Sequence, residues 1–278
     1  MIAETIAALV IILSVLVPGL LLSWAILYKT NTGRFEKTFL GIILGLFVPP
    51  ALGTLEFIFL SVDMTFAVVL FNSLAVSAIA IAAYYLQAKK LPTPNLAFKH
   101  EYSTQKFWEE FFNKNKTLIL LVLLVIFGFY ARYATSADLY FSEIDPFYYT
   151  HITEFVVTQG HIPFENADAY SPHLKFQRVP PLVHYMVGGW YLIYQGITNV
   201  SFSNELISGF SQFYPPLMGA LLSFLGFLIM REEADRRIAL ATAAFFAFTP
   251  QLLDKLAAGV SEQQPFALFA TLLIFSTY

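Results

Sequence analysis

The amino-acid sequence predicts an all-α, multi-span transmembrane helical bundle, and three observations carry that expectation. Hydrophobic residues make up 57% of the 278 residues and charged residues only 13%, against about 25% charged in a typical soluble domain. Aromatics reach 17%, from 29 Phe, 15 Tyr and 3 Trp, more apolar surface than a soluble fold of this size hides. Apolar runs of about 20 residues, the length that crosses a hydrocarbon core of about 30 Å, recur along the chain. A soluble globular enzyme and a disordered chain are both excluded on these grounds. With Cys 0 there is no disulfide framework, zinc–thiolate site or Cys nucleophile. A net charge of −3 offers no basic excess to a nucleic-acid partner.

Residues 5–28 form the first expected span. It carries no Lys or Arg before the apolar run, only Glu4, and the run is too long for a cleavable signal peptide. Residues 38–60 are the second, with Pro49-Pro50 as an expected kink and with Glu56 expected to snorkel to the interface. Residues 65–86 are the third. A basic linker over 88–116 follows, holding Pro92, Pro94 and the stretch Phe107-Trp108-Glu109-Glu110-Phe111-Phe112, which suits an interfacial helix. Residues 117–134 make a fourth span, extended if Arg132 snorkels, and 213–230 and 238–253 make two more. Residues 181–197 are also apolar but hold His184, Gly188-Gly189 and several Tyr and Trp, so a helix lying at the membrane surface is expected there. The last run, 266–278, is too short to complete a crossing, so the chain is expected to continue beyond it.

Loop charge sets the orientation. Lys29, Arg34, Lys37, Lys89, Lys90, Lys99, Lys106, Lys114, Lys116, Arg231, Arg236 and Arg237, twelve of the 16 basic residues, fall on one side if the spans alternate. That side is cytoplasmic by the positive-inside rule. A crossing by 181–197 would move the Arg-rich loop 231–237 outside, which the rule opposes. Residues 135–212 then form one large external loop and 254–264 a short one in the same compartment. The large loop carries Asp138, Glu143, Asp145, Glu154, Glu165, Asp168 and Glu205 and four of the five His. An externally facing enzyme has a use for such a loop, whereas a channel or an anchor does not. The expected divisions are 1–87 (three spans), 88–116 (linker) and 117–278 (the part bearing the external loops).

Two polar stretches stand out. In Ser142-Glu143-Ile144-Asp145-Pro146-Phe147-Tyr148-Tyr149, Asp145 precedes a Pro just past a membrane exit, a good N-cap with Pro at the first helical position, and Gln159-Gly160 supplies the stop. Capping alone accounts for Asp145. The functional reading is that its carboxylate binds a hard cation such as magnesium or manganese. In Ala258-Gly259-Val260-Ser261-Glu262-Gln263-Gln264-Pro265, Pro265 is placed to open the last helix, and Ser261 or Glu262 to cap it.

Taken together, Glu143-Ile144-Asp145-Pro146-Phe147-Tyr148, Gly160-His161-Ile162-Pro163, Tyr214-Pro215-Pro216 and Ala257-Ala258-Gly259-Val260-Ser261-Glu262-Gln263-Gln264 resemble the catalytic subunit of oligosaccharyltransferase. That is the membrane enzyme of N-linked protein glycosylation, and the likeness is to its archaeal form, from about residue 117 to the end. The resemblance implies a GT-C type bundle with a large helical first external loop and an active site on the extracytoplasmic side. It implies that Asp145 and Glu262 are catalytic residues that hold a divalent cation, magnesium or manganese. It implies a lipid-linked oligosaccharide donor on a dolichyl or polyprenyl (di)phosphate, an Asn of an acceptor polypeptide, and a setting among membrane lipids. For His161 and Arg178 a plain surface role comes first, with contact to the donor phosphate as the functional alternative. Gln264 stands where the family has a second acid, and His151 where it often has Arg. The family's later spans and its soluble domain with a Trp-Trp-Asp acceptor motif lie outside these 278 residues, so this stretch alone is expected to be inactive. The first three spans lie outside the resemblance and carry no assigned chemistry. Rival readings are another GT-C transferase (protein O-mannosyltransferase-like or lipid-sugar), with the same donor type and a different acceptor, and a non-catalytic fragment, which Gln264 would suit. A transporter predicts broken polar helices in repeated halves, and the spans have neither.

Overall fold

A computed structural model describes residues 2–30, 33–88, 104–134, 141, 143–163 and 181–275, without the side chains of 104–114. Among these residues all regular structure is helical. In chain order the helices are α1 (Ile2–Ile26), α2 (Arg34–Leu60), α3 (Phe66–Ala88), α4 (Thr104–Ala134), α5 (Asp145–Gln159), α6 (Pro181–Thr198), α7 (Asn204–Glu233), α8 (Arg236–Phe248), α9 (Pro250–Lys255) and α10 (Gln264–Phe275). Among the described residues five helices are long and apolar enough to cross a membrane: α1, α2, α3, the part of α4 over Asn115–Ala134, and α7. The protein is an integral membrane protein. Two compact units form, one from Met1–Thr93 with Tyr148–Phe210, the other from Pro94–Phe147 with Ser211–Tyr278. Much of the expected external loop thus packs with the first three spans.

In the first unit, small residues let α1 and α2 meet backbone to backbone. A methyl group at Gly19 would collide with the carbonyl oxygen of Gly41, and one at Gly45 with that of Val15. Lipid tails give no hydrophobic drive between helices, so this close approach is a main source of their association. Gly45→Val should therefore push α1 off α2, and we expect loss of the monodisperse folded protein in detergent, read by size-exclusion chromatography.

Helix α6 packs against α1, α2 and α3, and residues 183–193 are buried without a break. This corrects the surface-helix expectation, because a helix lying on a bilayer keeps one face wet. Gly188 and Gly189 explain the difference: added methyl groups would come within 3.0 Å of Val156 and Met64 respectively, so the neighbours close in. His184 Nδ1 lies 2.9 Å from Thr153 Oγ1, joining α6 to α5. Glu56, half-buried near the end of α2, has a partner on the neighbouring helix. It accepts a hydrogen bond from Asn72 Nδ2 of α3 at 2.9 Å. Helix α5 stops where expected, at Gly160, whose φ of +82° is the left-handed cap conformation.

In the second unit, α4 is broken at Asn115 (φ −111°, ψ 16°). It packs on α7 through Phe129 and Phe213, with ring centroids 5.2 Å apart, and also against α8 and α9. The expected single span 238–253 is instead two helices, α8 and α9. Pro250 disfavours the helical conformation at the residue before it, and Thr249 is extended there (φ −62°, ψ 126°). Helix α8 is capped by Asp235, which accepts from the N–H groups of Arg237 at 2.7 Å and Ile238 at 2.9 Å. Arg132 does not snorkel, since it is fully buried, at 0% exposure.

Candidate functional site

The acids of both stretches, Glu143, Asp145 and Glu262, fall in the second unit. Glu143 and Asp145 are exposed, and Asp145 begins α5. Glu262 sits in the loop between α9 and α10, whose residues 256–261 are buried. The Ala258 N–H donates to the Arg132 carbonyl on α4 at 3.1 Å. The Ser261 hydroxyl donates to the Ser211 carbonyl on α7 at 2.8 Å and to that of Ala258 at 3.2 Å. Pinned in this way, the loop delivers Glu262 to a position only 6% exposed, where its carboxyl hydrogen-bonds that of Glu143. The two acid-bearing turns, more than a hundred residues apart in the chain, therefore touch.

Charge at this point is poorly neutralised. Burial pushes the Glu262 carboxyl up to about 7, helped by the hydrogen bond and negative charge of Glu143 and the charge of Asp145, with Lys255 opposing. Glu143 is held below the usual carboxylate range by the hydrogen bond from Glu262 and then by Lys255. Of the two carboxyls, Glu262 is therefore the one that holds a proton more readily. Lys255 Nζ lies 3.3 Å from Glu143 Oε1 with both side chains substantially exposed. Such a pair contributes little stability, but it places an ammonium at the rim of the cluster. In cation-free protein the infrared carboxylic-acid band of Glu262 should disappear as pH rises through about 7, because ionisation removes the protonated form. The same band should be missing at every pH from Glu262→Gln.

The donor set suits a hard cation in chemistry, being carboxylate oxygen alone. Among the described residues no three His, Asp or Glu side chains close a ligand set. The cluster therefore offers part of a coordination shell. Magnesium tolerates this, since it keeps several waters and is commonly held by one or two carboxylates.

The other expected site residues fare differently. His161, in the first unit, has Nδ1 2.8 Å from Asp63 Oδ1 and stacks on Phe57 at 4.4 Å and 6°. Arg178 lies outside the described residues. Gln264 is exposed at the start of α10, and His151 pairs with Glu154 at 3.0 Å. Two neighbours of the cluster went unselected in the sequence reading, Glu143 and Lys255. Glu143 had a signal, since Glu143-Ile144-Asp145 is itself an acid-x-acid pair. Lys255 had a weaker one, as one of few basic residues assigned to the external side.

Comparison with known proteins adds the following. A family model described as "Oligosaccharyl transferase STT3, N-terminal" matches residues 116–278, more than half the chain, beginning at the membrane-spanning part of α4. The chain is 27% identical over 165 residues to the dolichyl-phosphooligosaccharide-protein glycotransferase 2 of Archaeoglobus fulgidus, an alignment covering 57% of this chain and 26% of that protein. The chain therefore spans about a quarter of the length of that relative. No solved structure matches it.

Proposed function

That this chain belongs to the oligosaccharyl transferase STT3 family is the premise from which we propose that residues 116–278 supply part of the active site of a membrane glycosyltransferase. The full-length protein transfers a glycan from a dolichyl or polyprenyl (di)phosphate to an Asn of an acceptor polypeptide. One observation supports this most: Glu262 and Glu143 lie close enough for each carboxyl to perturb the other, with Lys255, from the Glu262 side of the chain, 3.3 Å from Glu143, which brings together two acidic loops that both lie within the family-matched residues. The Archaeoglobus relative's name, a dolichyl-phosphooligosaccharide-protein glycotransferase, supports the donor and acceptor classes.

The chemistry follows from charge. The donor's tail stays in lipid, so the sugar–phosphate bond must be broken at a membrane surface; the positive-inside count favours the extracytoplasmic side for the loop bearing Glu143 and Asp145, and the Glu262 loop would share that side through its contact with Glu143. Breaking it leaves negative charge on phosphate oxygens. A divalent cation, magnesium or manganese, held by Asp145 and Glu262, would stabilise that charge as a Lewis acid. Glu143 orients Glu262 through their shared hydrogen bond. Lys255, tethered to Glu143 only by an exposed contact of 3.3 Å, can swing to a phosphate oxygen as a point charge. As separate proposals, His161 and Arg178 would each contact a donor phosphate, with Asp63 holding the His161 ring in a fixed orientation within the first unit.

Reconstitution of the full-length protein in liposomes, with a lipid-linked glycan and an Asn-x-Ser/Thr peptide, tests the proposal. Glycopeptide should accumulate with magnesium or manganese and cease with chelator. Transfer to Ser or Thr instead, or transfer indifferent to chelator, would contradict it.

A further inference from the structure

Arg132 lies in the last turn of α4 and is fully buried, with no carboxylate partner among the described residues. A buried charge in a membrane span is costly and calls for a specific reason. Its Nη1 donates to the Gly128 carbonyl at 2.9 Å and its Nη2 to that of Phe246 at 2.6 Å, while Nε has no partner. The second bond has a local cause. In an α-helix the Phe246 carbonyl would accept from the N–H four residues on. That residue is Pro250, which has no N–H to give. Arg132 therefore supplies the donor that Pro250 removes, and brings positive charge to the negative end of the α8 dipole.

The backbone of the same residue acts at a second point. The Arg132 carbonyl accepts from the Ala258 N–H at 3.1 Å. One residue thus grips both ends of the stretch 246–258, which contains α9 and Lys255 and runs directly into Glu262. Two glycines leave room for the guanidinium. A Cβ at Gly219 would sit 2.6 Å from Nε, and one at Gly128 3.2 Å from Nη1. Lys in place of Arg would bring a single ammonium without the planar fork.

We infer that Arg132 is a positioning residue: its guanidinium and its carbonyl together fix residues 246–262 and so hold Lys255 and Glu262 against Glu143. The positioning of an active site rests on the function proposed above, whereas the clamp itself does not. The experiment separates the two by following amide hydrogen exchange over residues 256–263 and the cation dependence of glycan transfer, both in the full-length protein.

Arg132→Met should speed exchange over 256–263 by about tenfold or more, the scale of losing a charge-assisted hydrogen bond, and leave α1–α3 unchanged. It should also raise the half-saturating cation concentration about tenfold. Pro250→Ala restores an N–H within reach of the Phe246 carbonyl, so in the Arg132→Met background it should recover part of both effects. If Arg132→Met does not fold, Arg132→Lys reads the same quantities. Unchanged exchange over 256–263 in a folded Arg132 variant overturns the clamp, whatever transfer does. Faster exchange with wild-type transfer and cation dependence overturns the positioning role. A wild-type protein that transfers no glycan overturns the proposed function, and exchange still decides the clamp.

Discussion

Asp145→Asn in the full-length protein should lower glycan transfer about a thousandfold, the scale expected when a group stabilising transition-state charge is lost. The choice of Asn separates two roles for this residue. Asp145 begins α5 directly before Pro146, and Asn caps helices as well as Asp does. If capping were its whole contribution, the variant would retain activity. If its charge holds a cation, the variant folds, inserts and fails to turn over. Asp145→Ala should fail equally in transfer and in addition cost about 0.5 kcal/mol of stability, because a carboxylate in the first turn of α5 meets the positive end of the helix dipole. Because Asp145 is exposed, neither change leaves a cavity. A thermal melt run beside the transfer assay therefore attributes each loss.

Glu262→Gln is expected to cost about a hundredfold in transfer, again with the fold intact. The Gln side-chain amide can still donate to the Glu143 carboxylate, so the link between the two loops persists while one negative charge goes. Glu262→Leu keeps the buried volume but removes that link, and should cost both transfer and thermal stability. Equal transfer by wild type and Glu262→Gln would remove Glu262 from the chemistry and leave it a loop-joining residue.

Much of this arrangement was legible because membrane spans are long and one-dimensional. Composition and run length placed α1, α2 and α3 near their observed bounds and caught the cores of α4 and α7, the latter starting nine residues earlier than expected, and Asp-Pro and Gln-Gly correctly marked the start and stop of α5. What escaped depended on packing in three dimensions. The run 181–197 holds Tyr, Trp and His, which suit an interface, but Gly188 and Gly189 let α5 and the α2–α3 loop close over it, a contact no periodicity reveals. Arg132 reads as a snorkelling end residue until the missing N–H of Pro250 is matched to it. The break between α8 and α9 was available from Pro250 itself, but the apolar run outweighed it. At the site, Asp145 and Glu262 came from motif resemblance. That Glu143, and not Asp145, is the residue hydrogen-bonded to Glu262 required coordinates.

The two acidic loops meet at Glu143 and Glu262. The 278 residues contain no Cys, so a pair of cysteines introduced here has no competing partner within them. Glu143→Cys combined with Glu262→Cys, in native membranes treated with a short bifunctional thiol reagent whose arm replaces the reach of the two lost side chains, should form an intramolecular cross-link that is absent from either single variant. Failure of the double variant to cross-link above the single variants, while still correctly inserted, would contradict the account.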